Sequence, residues 1–471
     1  MINQINFRNY FLALSLALSL TSCFDDIDDD QTATVVTPLS PTDPDNPNPF
    51  NGVMTPIDVM PYNQISNERY CIDLQAWDIP NNRTEPVKTT DNIQAAIDWA
   101  ISQGYGEVCL PAGHYLIGKY GNDIYQAGIV LDSNMALLLD QNAIIEMAQN
   151  NKWNYCAIAV RGKSHVVISG GTILGDRDNH EYTPRTSDGA VAHDEGHLIC
   201  IEDESEYVTV ENVTLGKANG DGILLVGSPS DADQQLLKNI DIRRNNFSDN
   251  RRQGISLVGS AEVLIENNEI HHTNGIAPQF GIDLEGAGRL NENITIRNNY
   301  FHNNRGGDIV NTDGKNVLLE DNILLQGEDS QYIDGPIVYW KNADWTIRNN
   351  SITMRTVSVN NWNGIIMYSN DSPKTNPATT YIYDNTLNNC GMYMYKGADL
   401  EITNNFMDNG HLAFKEMTNL TLTNNIVEHP SQCWAYRFLE VSGSASGNTY
   451  NQEPFDIPLE ENTPWDGCWI N

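Results

Sequence analysis

Ile242-Arg-Arg-Asn-Asn-Phe247, Ile265-Glu-Asn-Asn-Glu-Ile270, Ile296-Arg-Asn-Asn-Tyr-Phe301, Leu319-Glu-Asp-Asn-Ile-Leu324 and Ile347-Arg-Asn-Asn-Ser-Ile352 are five statements of one phrase. A β-alternating approach leads to two polar residues, usually Asn-Asn, and apolar residues follow. The phrase continues at Tyr383-Asp-Asn385, Thr403-Asn-Asn405 and Thr423-Asn-Asn425, so aligned asparagines stand at 245, 268, 299, 322, 350, 385, 405 and 425. Their intervals of 20 to 35 residues are those of one solenoid coil per repeat.

Each coil parses into three short strands. In one of them these are Gly281-Ile-Asp-Leu-Glu285, Asn293-Ile-Thr-Ile-Arg297 and Tyr300-Phe-His302, with period-2 alternation turning Ile and Leu inward. Asn298-Asn299 makes the corner between the last two. Asparagine tolerates left-handed backbone, and its amide can bond the same amide one coil above and below, which predicts an asparagine ladder. From about Thr90 to Gly443 the chain resembles the pectate-lyase and chondroitinase-B superfamily, which implies an all-β fold: a right-handed parallel β-helix. The segment Asp91-Asn-Ile-Gln-Ala-Ala-Ile-Asp-Trp-Ala-Ile101 puts Ile93, Ile97, Ala100 and Ile101 on one helical face. Asp91 with Gln94 imitates a capping box, and Gly104 ends the helix. This helix is expected to plug the open end of the core, ahead of Glu107-Val-Cys-Leu-Pro-Ala-Gly-His-Tyr-Leu-Ile117, which resembles the first strands of the superfamily.

Ahead of the repeats, Arg8 and the apolar run Phe11–Leu20 read as an export signal, too short to span a bilayer. Leu20-Thr-Ser-Cys23 resembles a bacterial lipobox, which implies acylation of Cys23 and anchoring to the outer membrane. Asp25, Asp26, Asp28, Asp29 and Asp30 follow, similar to the tag that sends some lipoproteins to the outer face. Residues 32–51, rich in Thr, Pro, Asp and Asn, cannot bury enough to fold. The expected organisation is a signal at 1–22, an acylated tether at 23–55, a β-helix at 56–445 and a C-terminal cap at 446–471. Formal charge is -35, which excludes nucleic acid as a natural partner. Of eight cysteines, acylation of Cys23 leaves seven, which cannot all pair. Cys433 with Cys468 is the expected bridge, while Cys71, Cys109, Cys156, Cys200 and Cys390 sit in apolar runs and read as buried thiols. A monomer is expected.

The fold hosts several chemistries, so function must come from the site. Asp221-Gly-Ile-Leu-Leu225, Gln253-Gly-Ile-Ser-Leu257, Phe280-Gly-Ile-Asp-Leu284, Gly307-Asp-Ile-Val-Asn311, Gly335-Pro-Ile-Val-Tyr339 and Asn363-Gly-Ile-Ile-Met367 align on their Ile. If that Ile points inward, Leu224, Ser256, Asp283, Val310, Val338 and Ile366 point outward. Asp283 stands out, and Glu285 follows on the same face at ~7 Å by strand rise. Two carboxylates so placed repel by about 2 kcal/mol at a dielectric of about 20, so one should titrate late. In the preceding loops Arg251 and Arg252, His271 and His272, and His302 and Arg305 recur at corresponding positions.

A basic cluster beside an acid pair suits a uronic-acid polymer. β-Elimination needs the substrate carboxylate neutralised, a base for the C5 proton and an acid for the leaving oxygen. On this reading Arg252 and Arg305 hold the carboxylate, His272 is the base, and Asp283 and Glu285 orient them or hold a cation, calcium being the candidate. Arg251 and His271 would bind substrate, with Lys341, Trp362, Tyr368, Tyr393, Tyr395 and Lys396 as subsites and the polar loop Asp176–His197 as a lid. The leading expectation is a lyase of glycosaminoglycans, ahead of alginate or pectin. The alternatives are an inverting hydrolase using Asp283 and Glu285, at a separation of roughly 7 Å that admits a water, and a non-catalytic glycan-binding solenoid. The Asn-Gly-x-Glu signature of alginate lyases and chondroitinase B is missing. Phe280-Gly-Ile-Asp283 is faintly similar to an epimerase site without its Tyr and His.

Overall fold

In the computed structural model the described residues are 64–454, apart from 119–126, 185–191, 228–235, 287–288, 313, 328–334, 341–343, 356–362, 369–378 and 430–435. Contacts divide the chain into residues 1–59 and 60–471. The described residues all belong to the second unit. Cys23, Lys341, Trp362, Cys433 and Cys468 lie outside the described residues.

The repeats wind into a right-handed parallel β-helix. Among the described residues, one sheet of 23 strands wraps two faces of the coil and a second of 14 strands forms the third. The first face stacks Asp221–Gly227, Gln253–Val258, Phe280–Leu284, Gly307–Asn311, Ile337–Trp340 and Asn363–Tyr368. The six aligned isoleucines, 223, 255, 282, 309, 337 and 365, are successive register partners, and all six are fully buried. Inward alternation therefore holds along the whole face. The third-face strands of these coils are three residues long, and their central residues Phe247, Ile270, Phe301, Leu324 and Ile352 are fully buried.

The asparagine phrase divides its labour. Its first residue takes the left-handed conformation, with φ near 55° at Asn267, Asn298, Asn349, Asn404 and Asn424. Its second residue builds the ladder. Nδ2 of Asn245, Asn268, Asn299, Asn322, Asn350, Asn385, Asn405 and Asn425 donates to Oδ1 of the next asparagine at 2.9–3.1 Å. Asn448 supplies one further rung.

Two expectations are corrected. The helix is Pro86–Ser102, preceded by Glu85 with φ 49° and no side-chain cap. Pro86 starts it because proline lacks the N–H that a first turn leaves unpaired, so Asp91 and Gln94 fall inside. Gln94 instead pairs with the edge of the strand Ala127–Leu131, accepting from Val130 N at 2.8 Å and donating to Val130 O at 3.0 Å. Gly104, at φ 90°, does end the helix, and Ile93, Ala96, Ile97 and Ala100 plug the core. The second correction concerns sulfur. Cys71 bridges Cys109, and Cys156 bridges Cys200. Spacings of 38 and 44 residues are one coil each, so cysteines distant in sequence become stacked neighbours, which a linear reading could not see. Cys390 is a buried free thiol as expected.

Candidate active site

The outer side of the first face carries a compact polar cluster built by successive coils. Ser256 pairs in register with Asp283, as Asp221 does with Gln253. Between them lies the guanidinium of Arg252, donating to Asp221 Oδ2 at 3.0 Å and to Glu285 Oε2 at 2.9 Å. Gln253 Nε2 donates to Asp283 Oδ2 at 2.6 Å, while its Oε1 accepts from Phe280 N at 2.7 Å. His197 closes the N-terminal side, its Nδ1 accepting from Asp221 N at 3.1 Å. Asp221, Asp283, Arg252 and His197 are all buried, whereas the side chain of Glu285 is 25% exposed. Glu285 is thus the open member of the set.

Burial sets the protonation states. Burial first, and then the charge of Glu285, push the Asp283 carboxyl well above the usual carboxylate range against the pull of Arg252. Burial lifts Asp221 to about 6 despite the same guanidinium. It also pulls His197 down to about 3, helped by Arg252, so this imidazole is neutral. For Arg252 burial works against the charge, but Asp221, Glu285 and Asp283 outweigh it and hold the guanidinium charged. Oδ1 of Asp283 and of Asp221 find no hydrogen-bond partner among the described residues. The cluster therefore sets a buried carboxyl whose proton is held tightly, that of Asp283, beside the more open Glu285.

The predicted basic group splits. Arg252 is committed to Asp221 and Glu285 and is 5% exposed. It fills the charge-neutralising position that the sequence reading offered to a substrate carboxylate or to calcium. Arg251 instead pins the polar loop: its Nη1 donates to Ala192 O at 2.6 Å, and its guanidinium lies 4.5 Å from the Tyr182 ring centre. Tyr155, on the strand Asn154–Arg161, heads a hydrogen-bonded chain that runs through Asp176, His180 and His193 of that loop to Thr183 O. Arg305 is exposed. His271, His272 and His302 gather on the third face, where His271 and His302 are register partners. Burial, and then the charge of His302, take His271 to about 3.

Further along the first face, Tyr368 and Tyr393 lie 6.0 Å apart, edge to face, beside buried Val338 and Ile366. Tyr395 carries Lys396 and Lys415, each 5.0 Å from its ring. The sequence reading missed Asp221, His197 and Gln253. Asp221 and Gln253 open the same aligned strands that singled out Asp283, so the signal was the first residue of each strand rather than the fourth.

The fold and this cluster define the class, a right-handed parallel β-helix with a carboxylate–arginine cluster on its first face. The family described as right handed beta helix region matches residues 232–354. Two Bacillus subtilis proteins are similar in sequence. YclG is 33% identical over 280 residues, 55% of this chain and 47% of that protein. The prophage-derived YorA is 29% identical over 372 residues, 72% and 59% respectively. The chain thus spans about half the length of the curated relatives it matches. Among solved structures, the A-module of the Azotobacter vinelandii mannuronan C-5 epimerase AlgE6 superposes with TM-score 0.52 at 14% identity, over 82% of this chain and 100% of that one. PfbA, a surface adhesin of Streptococcus pneumoniae, superposes with TM-score 0.53 at 16% identity, over 81% and 91%. Identities this low show the shared fold.

Proposed function

We propose that this protein is an extracytoplasmic enzyme that cleaves a polysaccharide by hydrolysis, with Asp283 as proton donor and Glu285 as the base that activates water. The carrying observation is the pair itself: one carboxyl held protonated by burial, and two residues on, a second that is open to solvent and oriented by Arg252. A separation of roughly 7 Å along a strand leaves room for a water in an inverting displacement. Arg252 is a positioning residue here, while Tyr368, Tyr393 and Tyr395 offer faces for sugar rings and Lys396 and Lys415 offer charge to an anionic substituent.

β-Elimination on a uronic-acid chain is the second reading, favoured by the likeness to a mannuronan C-5 epimerase module and by the exposed Arg305. Asp283 would then protonate the leaving oxygen, and glycosaminoglycans, alginate and pectin would be the substrates to try. Export fits two coil-to-coil disulfides, which persist in oxidising compartments. With it go the signal, the lipid on Cys23 and an outward-facing position on the outer membrane.

The test incubates the protein with chondroitin sulfate, dermatan sulfate, hyaluronan, alginate and polygalacturonate, following both reducing ends and the ultraviolet absorbance of a new C4=C5 double bond. Reducing ends without absorbance, lost in Asp283→Asn and Glu285→Gln, are expected. An absorbance rise transfers the assignment to elimination. Binding with neither signal makes the protein a glycan-binding solenoid, a role compatible with the fold of PfbA.

A further inference from the structure

We propose that His271, His272 and His302 form a binding site for one divalent transition-metal ion of the zinc or nickel class, strapped across two coils of the third face. The three residues offer ring nitrogens that lie within 4.8 Å of one another. His271 and His302 stack at 4.6 Å with their planes 7° apart, whereas His272 stands across both, at 80° and 87°. Stacking between coils accounts for two of these rings. It does not account for the third, whose Nδ1 is only 2.6 Å from Nδ1 of His271.

Two nitrogens that close either share one proton or turn both lone pairs to a common cation. Tetrahedral zinc, with Zn–N of about 2.0–2.1 Å, sets its nitrogens about 3.3 Å apart. Reaching that geometry requires the His271 and His302 rings to turn out of their parallel stack so that their lone pairs converge.

The surroundings are those of a metal site. Glu269 Oε1 lies 3.1 Å from His302 Nε2, and a carboxylate on one ring nitrogen fixes the tautomer and makes the other a better ligand. The Asn303 amide lies 3.2 Å from His272 Nε2; its oxygen serves the same purpose once the amide is turned, since the two amide orientations are equivalent in outline. Imidazole donors select zinc, nickel or copper over calcium and magnesium. The formal charge of -35 concentrates cations at the surface. The inference is independent of the cleft chemistry, because no step at Asp283 requires it.

Chelator-stripped protein is titrated calorimetrically with Zn2+ in excess magnesium, which occupies adventitious carboxylate sites. One ion per chain is expected, with binding abolished in His271→Ala/His302→Ala and weakened about 10- to 100-fold in Glu269→Gln. Circular dichroism of each variant checks the fold. Should the double variant not fold, Cu2+ on the unmutated chain is read by electron paramagnetic resonance, where nitrogen hyperfine lines are expected. Absence of stoichiometric uptake, unchanged uptake in the folded double variant, or a copper spectrum without nitrogen coupling each overturns the site.

Discussion

At the scale of single residues, the decisive fact is that Arg252 is not free to meet a substrate. Its bonds to Asp221, Glu285 and Ser256 turn a row of outward side chains into an organised cluster. Replacing it by Met leaves the buried Asp221 carboxylate without a counter-charge, a loss of about 3–5 kcal/mol, which chemical denaturation measures directly. Asp283→Asn is the complementary change. Asparagine keeps the shape and the Gln253 contact but has no acidic proton, so the fold should survive while turnover falls about 10²- to 10⁴-fold. Because the carboxyl of Asp283 is raised, kcat of the parent should fall as pH rises through that value, and the residual activity of Asp283→Asn should lack this basic limb. An unchanged limb in the variant would assign the proton donor elsewhere.

Elements add what residues alone do not have, repetition. The asparagine ladder and the inward isoleucines were legible because each recurs at fixed offset from the same phrase. The same phrase carries a further ladder: the residue after its first apolar one alternates Arg243, Glu266, Arg297, Glu320, Arg348. In the fold these follow Glu211 as register partners in one column of alternating sign, with Arg243–Glu211, Arg297–Glu266 and Arg348–Glu320 paired at 2.5–2.9 Å. The cleft was half legible. Asp283 and Glu285 differ from their stacked neighbours in type, whereas similar position in a loop does not say that Arg252 turns to Asp221 and Glu285 while His272 joins His271 and His302. The disulfides were illegible for the same geometric reason. Asn299→Ala removes the bonds to Asn268, Asn322 and Ile265 O and leaves neighbouring buried groups unpaired, for about 2–4 kcal/mol. The same change at Asn448, where the ladder ends, should cost less, and paired urea titrations compare the two.

For the whole molecule, acid stability follows from which buried groups refuse protons and which keep them. Burial holds His197 and His411 each at about 3, far below the ordinary 6.5. As pH falls below 6.5 the unfolded chain binds protons that the folded chain rejects, so each histidine removes up to about 1.4 kcal/mol per pH unit. That loss continues until pH reaches the folded value. Asp221 acts with the opposite sign. Lifted from 3.8 to about 6, it is protonated in the fold before it is protonated in the unfolded chain, so between about 6 and 3.8 falling pH adds stability. Asp221→Asn deletes this opposing contribution and leaves the histidines unbalanced. Urea midpoints of parent and variant, taken from pH 6.5 downwards, should therefore diverge, the variant losing about 1.4 kcal/mol more per pH unit through that window. Parallel lines would mean that Asp221 titrates in the fold as it does in water, and that burial beside Arg252 does not lift it.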